Sequence, residues 1–155
     1  MKLYLVQHAK AASKEIDPQR PLTEEGLRDI KKVAEFIKPS DLCVDYLWHS
    51  GKKRAAQTAE VLAEVIKVDN TLTAHDGLGP TDDVTVLKAE FASATDDIMI
   101  VGHLPFLAKL ASLLLTGSEL ADTVAFKQGG IVCLSRCNEN KWQIDWMVTP
   151  EVLAN

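Results

Sequence analysis

Short apolar strands alternate with amphipathic helices along this chain, and no other feature of the sequence constrains its fold as much. The opening strand, residues 2–6, leads through a polar segment to a helix for which Thr23 is the expected N-cap. The apolar residues of that helix recur at helical spacing: Leu27, Ile30, Ala34 and Ile37. Such alternation is typical of an α/β layered domain with a mostly parallel sheet. At 155 residues, the chain suits one domain spanning residues 1–155.

The later elements continue this pattern. Further strands are predicted at residues 44–49, 72–75 and 98–101. A helix follows each of them. Ser50 is the expected N-cap of the first of these helices, and the second carries the apolar residues Val84, Leu87 and Phe91. The third is expected to begin at Pro105 and to end at Gly117. The strand at residues 98–101 is apolar throughout, which is typical of a strand that is buried on both faces. We therefore expect it at the centre of the sheet.

The last part of the chain predicts an antiparallel hairpin. Residues 131–134 and 142–148 have strand-like alternation and flank a turn-forming segment at residues 138–140. Because successive side chains of a strand point to opposite faces, one face of the second strand should carry Trp142, Ile144, Trp146 and Val148. The sheet is therefore expected to end in this hairpin.

Charge and composition limit the partners. The formal net charge of −5 argues against a nucleic acid or an anionic membrane surface as the main partner. No apolar run approaches the ~18 residues of a membrane span, and the opening apolar stretch is too short for a signal peptide, so we expect a cytoplasmic protein. Cys43, Cys133 and Cys137 lack metal-type spacing. We expect buried free thiols and no metal site.

Polar residues gather where three of the predicted strands end. His8 follows the first strand, residues 50–54 follow the second, and His103 follows the central strand. The carboxyl ends of parallel strands meet at one edge of a sheet, where open α/β folds bind their ligands. Arg54 and a helix N-terminus offer donors to phosphoryl oxygens, and an unprotonated imidazole nitrogen can attack phosphorus. The sequence therefore predicts a phosphoryl-binding pocket at this edge.

Motifs along most of the chain resemble those of the histidine phosphatase superfamily. They are Val6-Gln7-His8-Ala9, Arg20-Pro21-Leu22-Thr23-Glu24-Glu25-Gly26, the segment at residues 50–59, and Val101-Gly102-His103-Leu104-Pro105. Leu78-Gly79-Pro80 and Trp146-Met147-Val148-Thr149-Pro150 resemble more specifically its SixA-like phosphohistidine phosphatase branch. The resemblance implies a three-layer α/β/α sandwich with the phosphoglycerate mutase-like fold. It also implies phosphotransfer that needs neither a metal nor another cofactor.

The resemblance also assigns roles to individual residues. It implies that His8 is the nucleophile, that Arg54 clamps phosphate oxygens, and that His103 donates a hydrogen bond to them. Arg20 corresponds to a further phosphate ligand of the SixA-like branch. Ser50, at the junction after the second strand, is a candidate phosphate ligand as well as the expected helix cap.

Two positions beside His8 depart from the family pattern, because Gln7-His8-Ala9 stands where the family has Arg-His-Gly. Gln7 can donate to phosphate only as a neutral amide, and loss of one positioned electrostatic donor commonly costs about 10²- to 10³-fold in rate. Ala9 resists backbone conformations that glycine permits. We hypothesise that Lys10, three residues after Gln7, replaces the missing charge in the phosphate-binding set.

The expected function is that of a phosphohistidine phosphatase-like hydrolase that acts through a phospho-His8 intermediate. Its partner would be a phosphorylated protein or a small phospho-substrate. No proton donor stands out in the sequence, and Asp82 and Asp83 are weak candidates. The lack of a positioned acid suits a phosphohistidine substrate, because imidazole leaves more readily than an alkoxide. The alternative is a weakened or inactive module that binds phosphate or a phosphoprotein and has lost turnover with the arginine at position 7. A mutase is disfavoured, because the chain has no room for additional substrate-gripping segments.

Overall fold

The computed structural model describes residues 1–154, which contain a six-stranded sheet. The strands are β1 (Lys2–Gln7), β2 (Cys43–His49), β3 (Lys67–Ala74), β4 (Ile98–Gly102), β5 (Ile131–Arg136) and β6 (Trp142–Val148). Their order across the sheet is β3-β2-β4-β1-β5-β6. Neighbours from β3 to β1 are parallel, whereas β5 is antiparallel to β1 and β6 is antiparallel to β5. The mostly parallel sheet and its closing hairpin are therefore confirmed.

Helices cover both faces of the sheet. They are α1 (Glu24–Ile37), α2 (Lys53–Ala63), α3 (Val84–Phe91) and α4 (Phe106–Thr116), with short 3₁₀ turns at Lys38–Ser40, Asn138–Asn140 and Pro150–Val152. The buried side chains of α1 and α2 form one core with one face of the sheet, and those of α3 and α4 form a second core with the other face. The three-layer α/β/α architecture is therefore confirmed. Within residues 1–154, none of these helices combines the length and apolarity needed to cross a membrane.

Several local signals in the sequence act as expected. The Thr23 hydroxyl oxygen accepts the Gly26 N–H at 3.0 Å and so caps α1. Gly117 ends α4 in the left-handed region, with a φ of 83°. Every residue of β4 is buried, and this strand lies between β2 and β1 near the middle of the sheet. Capping chemistry and apolar patterning therefore determined these elements, as the sequence indicated.

Other local expectations were wrong. Ser50 does not cap α2, because the helix begins at Lys53 and Lys52 occupies the N-cap position. Leu27 is 38% exposed, and Val33 is buried in α1 instead. Strand β3, at the edge of the sheet, is eight residues long, twice its predicted length. Its side chains are mostly exposed and carry little apolar signal.

The last strand does not present its large residues on a single face. The register between β5 and β6 shifts between Cys133 and Leu134, and Asp145 is the extra residue on β6. A bulge of this kind reverses which face the following side chains point to. Trp142 consequently packs near Phe91 on one side of the sheet, whereas Trp146 packs near Tyr4 on the other.

The cysteines are all free, but only one is buried. Cys133 lies in the core beside Tyr4, and its burial raises the thiol pKa to about 11. Cys43 and Cys137 are exposed, which corrects the expectation that all three are core residues. A raised pKa disfavours the thiolate that reactive cysteines need, so Cys133 serves as a small core side chain.

The start of α1 packs directly against the backbone that follows His8. The Thr23 N–H donates to the carbonyl oxygen of Lys10 at 3.0 Å. A Cβ atom at Gly26 would overlap that same carbonyl oxygen and would lie 2.9 Å from the Lys10 nitrogen. Only glycine leaves room for this approach, which fixes the segment after His8 against the helix.

This packing predicts the sign of a substitution. In a helix, Gly→Ala usually stabilises by about 0.5–1 kcal/mol, but forcing a methyl group into a filled site costs about 1–3 kcal/mol. Gly26→Ala should therefore lower the free energy of unfolding, measured by urea denaturation. Lys31→Ala, on the exposed side of the same helix, is the matched control and should have little effect. A Gly26→Ala variant as stable as the wild type would contradict the proposed close packing.

Candidate active site

Three polar segments meet at the carboxyl edge of the sheet, as the sequence predicts. β2, β4 and β1 are parallel neighbours, and Gln7 of β1 pairs with Gly102 of β4. His8 and His103, the residues that follow these partners, therefore emerge side by side. Their ring centroids are 5.0 Å apart. Residues 50–54, which follow β2, complete the edge.

The imidazole of His8 is buried and held in one orientation. Only 6% of the residue is exposed, and Nδ1 lies 2.7 Å from the carbonyl oxygen of Ala9. A carbonyl can only accept, so Nδ1 carries the proton and Nε2 is left with its lone pair. Burial lowers the pKa of His8; the Ala9 carbonyl acts against this, and the charges of Arg54 and Arg20 lower the pKa further. The ring is therefore neutral near pH 7, with an unprotonated Nε2.

His103 is even more deeply buried, at 2% exposure. Its Nε2 lies 2.6 Å from the hydroxyl oxygen of Ser50. Burial lowers its pKa to about 3, and the positive charges of Arg54 and neighbouring residues act in the same direction. His103 is therefore neutral at physiological pH and carries a single ring proton.

Two guanidinium groups, together with the ammonium of Lys52, provide positive charge at the site. Arg54 lies in the first turn of α2, where burial and the nearby charge of Arg20 lower its pKa. Arg20 is half-buried, and its Nε donates to the carbonyl oxygen of Ala12 at 2.9 Å. Its backbone is left-handed, with a φ of 51°, a conformation that an arginine adopts at a cost of about 1–3 kcal/mol. The surrounding loop thus holds Arg20 in a strained position near Arg54.

Buried polar atoms without a hydrogen-bond partner gather at this site. Within residues 1–154, the buried side-chain nitrogen or oxygen atoms without a hydrogen-bond partner are Gln7 Oε1, Arg54 Nε and His103 Nδ1. Buried polar groups are nearly always paired, and each exception requires an explanation. No carboxylate from the described residues is among the charges that shift the pKa of His8, Arg54 or His103. The pocket is therefore electropositive and suited to an anion.

Two polar residues of α2 anchor loops at the site, Thr58 the segment after His8 and Gln57 the segment before α1, and sequence reasoning gave neither of them a role. The Thr58 hydroxyl accepts the Ala9 N–H at 3.0 Å and donates to the carbonyl oxygen of Arg54 at 2.8 Å. Gln57 Oε1 accepts the Leu22 N–H at 2.8 Å. The polar residues inside an otherwise helical motif were the available signal, but their partners are distant in sequence.

Lys10 does not join this group. Its ammonium forms a 2.6 Å ion pair with Glu25, and the cavity that it lines contains neither His8 nor Arg54. The hypothesis that its charge replaces an arginine at position 7 is therefore not supported by its position. Ala9 is fully buried and is not among the residues with positive φ, so alanine fits here without backbone strain.

The two weak proton-donor candidates have structural partners. Asp82 accepts the Gly79 N–H at 2.7 Å and so fixes the loop after β3. Asp83 is the N-cap of α3 and accepts the Thr85 N–H at 2.9 Å. Hydrogen bonds to Thr85 lower the pKa of Asp83, which disfavours its protonated form at neutral pH. Both carboxylates are therefore engaged in structural hydrogen bonds.

Comparison with known proteins places the chain in a family. The model of the histidine phosphatase superfamily (branch 1) matches residues 3–79. Phosphohistidine phosphatase SixA of Escherichia coli (strain K12) is 22% identical over 155 residues, covering 97% of this chain and 94% of that protein. An uncharacterized protein of Picosynechococcus sp. is 30% identical over 141 residues, covering 86% of this chain and 84% of that protein.

Solved structures share the fold. The structure of the protein histidine phosphatase SixA complexed with tungstate superposes with a TM-score of 0.84 at 22% identity, covering 97% of both chains. The alpha-ribazole phosphatase from Shigella flexneri gives a TM-score of 0.78 at 14% identity, also covering 97% of both chains. Family match, relatives and fold agree, and the chain belongs to the histidine phosphatase superfamily.

Proposed function

We propose that this chain is a phosphatase in which His8 accepts the phosphoryl group of the substrate. Members of its superfamily are phosphatases, and the chemistry of the pocket supports the same activity here. The observation that carries the proposal is the contact between His8 Nδ1 and the Ala9 carbonyl, which leaves Nε2 unprotonated in an electropositive pocket. Arg54 and Arg20 would bind the phosphoryl oxygens, and His103 would donate a hydrogen bond to them.

The reaction would proceed in two displacements at phosphorus. In the first, the lone pair of His8 Nε2 forms the N–P bond while the bond from phosphorus to the leaving group breaks. In the second, water attacks phosphorus, the N–P bond breaks, and phosphate is released with His8 restored. The Ala9 carbonyl accepts a hydrogen bond from Nδ1–H throughout and so stabilises the positive charge that the ring gains on phosphorylation. The guanidinium groups stabilise the charge on the phosphoryl oxygens.

The substrate class that fits best is a phosphohistidine, carried by a protein or by a small phospho-substrate. Asp82 and Asp83 are both engaged in loop and helix-cap hydrogen bonds, so neither supports a role as the acid for an alkoxide leaving group. Imidazole, with an ordinary pKa of about 6.5, needs less assistance to leave. The E. coli relative that bears the name phosphohistidine phosphatase supports the same choice.

Turnover tests the proposal directly. The chain should release phosphate from a phosphohistidine-bearing protein faster than from an alkyl phosphate, and His8→Ala should abolish this release. Gln7→Arg should raise kcat/KM by about 10- to 10²-fold on the alkyl phosphate, because it adds a charged donor to the transition state. Phosphate release and trapping of the phosphoenzyme with labelled substrate are the measurements.

Two outcomes would contradict the proposal. If His8→Ala retained wild-type turnover, His8 could not be the phosphate acceptor. If the wild type bound tungstate without any turnover and Gln7→Arg gained turnover, the chain would be a phosphate-binding module rather than an enzyme.

A pair of lysine and arginine variants tests which charges hold the phosphate. Arg20→Ala should weaken tungstate binding by about 10- to 10²-fold, because a charge-assisted hydrogen bond is lost. Lys10→Ala should leave the affinity unchanged, because its ammonium is paired with Glu25. Isothermal titration calorimetry measures both affinities. Equal losses in the two variants would show that Lys10 moves to the phosphate after all.

The neutral state of His103 predicts how stability depends on pH. The unfolded chain binds a proton at this histidine near pH 6.5, whereas the folded chain does so only near a pKa of about 3. The unfolded state therefore binds more protons between these values, and the free energy of unfolding falls as the pH is lowered, by about 1.4 kcal/mol per pH unit for one such group. Urea titrations from pH 7 to 4 should show a smaller fall in His103→Gln than in the wild type. Equal pH dependence in both would contradict a buried, neutral His103.

A further inference from the structure

At the proposed phosphate site, the half-buried hydroxyl of Ser50 contacts the buried imidazole of His103. Ser50 Oγ lies 2.6 Å from His103 Nε2, and the Lys52 N–H lies 3.3 Å from the same oxygen. The Lys52 amide can only donate, so it uses one acceptor position of the hydroxyl. The hydroxyl proton remains available to the imidazole.

A neutral imidazole can make this contact in either of two ways. If Nε2 carries the ring proton, it donates to Ser50, and Nδ1 presents a lone pair. If Nε2 is bare, it accepts from Ser50, and Nδ1 carries the proton. His103 Nδ1 is buried without a partner in the described part of the chain, so the choice decides whether the pocket gains a buried donor or a buried acceptor.

The chemistry of the ligand selects between these two states. Phosphoryl oxygens accept hydrogen bonds, and a bare ring nitrogen cannot donate to them. Nε2 is already occupied by Ser50, so a role for His103 as a donor to phosphate requires the proton on Nδ1. This step rests on the proposed function, in which His103 donates to the phosphoryl group.

We propose that Ser50 is a positioning residue: its hydroxyl donates to His103 Nε2 and thereby fixes the ring proton on Nδ1, as a donor to the phosphoryl group. Ser50 then acts through His103 and is not itself a phosphate ligand. The two histidines are then held in the same tautomer, with Nδ1 protonated and Nε2 bare, but each presents a different nitrogen to the phosphoryl group. The Ala9 carbonyl leaves His8 Nε2 bare for attack, and the Ser50 hydroxyl keeps His103 Nδ1 protonated for binding.

The tautomer can be read without any measurement of activity. Long-range ¹H–¹⁵N correlation spectra of the full chain at pH 7 should show His103 with Nδ1 protonated and Nε2 bare, its signals being assigned by their loss in His103→Gln. Ser50→Ala should abolish this preference, and Ser50→Thr, which retains the hydroxyl, should restore it. Ser135→Ala removes a hydroxyl that bonds Asp145 on the hairpin, and as the matched control it should leave the His103 signals unchanged.

Kinetics provide the second readout. Ser50→Ala should lower kcat/KM by up to about 10²-fold, the loss of one positioned donor, while Ser50→Thr should recover most of the activity. A His103 ring protonated at Nε2 in the wild type would overturn the proposal, as would an unchanged tautomer in Ser50→Ala. Failure of the phosphatase proposal would instead appear as absent turnover in the wild type, whatever the tautomer.

Discussion

The parallel pairing of β1 with β4 and of β4 with β2 brings the whole site together. His49 of β2 lies opposite Val101 of β4, and Gly102 lies opposite Gln7 of β1, so the three strands end at nearly the same level. Parallel strands need long crossover connections, which here include the helices on both faces. Each strand therefore delivers its next residues to one edge of the sheet. Groups almost a hundred residues apart, such as His8 and His103, meet there without any local sequence signal joining them.

The site is held by contacts that do not themselves carry chemistry. Thr58 links the Ala9 amide to α2, and the absence of a side chain at Gly26 lets α1 approach the backbone of Lys10. These contacts fix the Ala9 carbonyl, which in turn fixes the His8 tautomer. An unsatisfied buried polar group costs about 1–3 kcal/mol, and Arg54 Nε and His103 Nδ1 have no partner among the described residues. An anion that accepts hydrogen bonds from these two groups would satisfy them and so add to the stability of the fold on binding.

Periodicity and capping made most of the fold predictable, and each error has a physical cause. The buried strand β4 and the Thr23 cap were clear because burial and capping restrict residue choice strongly. The full length of β3 was missed because an edge strand with exposed faces needs no apolar pattern. The separation of Trp142 from Trp146 was missed because one inserted residue, Asp145, reverses the alternation without changing composition.

The convergence of the three junctions was predictable from topology alone, but the partners of individual side chains were not. Lys10 had the right charge and an adjacent position, yet Glu25 from α1 lies within reach of its ammonium. Ser50 is a residue type that often caps helices, but α2 begins later, at Lys53. The Ser50 hydroxyl contacts His103 instead. Which partner a polar side chain contacts depends on distances of a few ångströms between segments that are remote in sequence. A single sequence does not encode these distances in any pattern that can be read directly.

Gln7 also has a consistent electrostatic interpretation. An arginine at this position would add a third guanidinium to a pocket in which Arg54 and Arg20 already lower the pKa of His8. A neutral amide avoids that repulsion, but it supplies less stabilisation to a transition state that accumulates negative charge. This deficit is largest for a leaving group that departs as an alkoxide and smallest for one that departs as an imidazole. The neutral residue at position 7 and the engagement of Asp82 and Asp83 elsewhere are therefore both consistent with the proposed class of substrate, a phosphoryl group bonded to nitrogen.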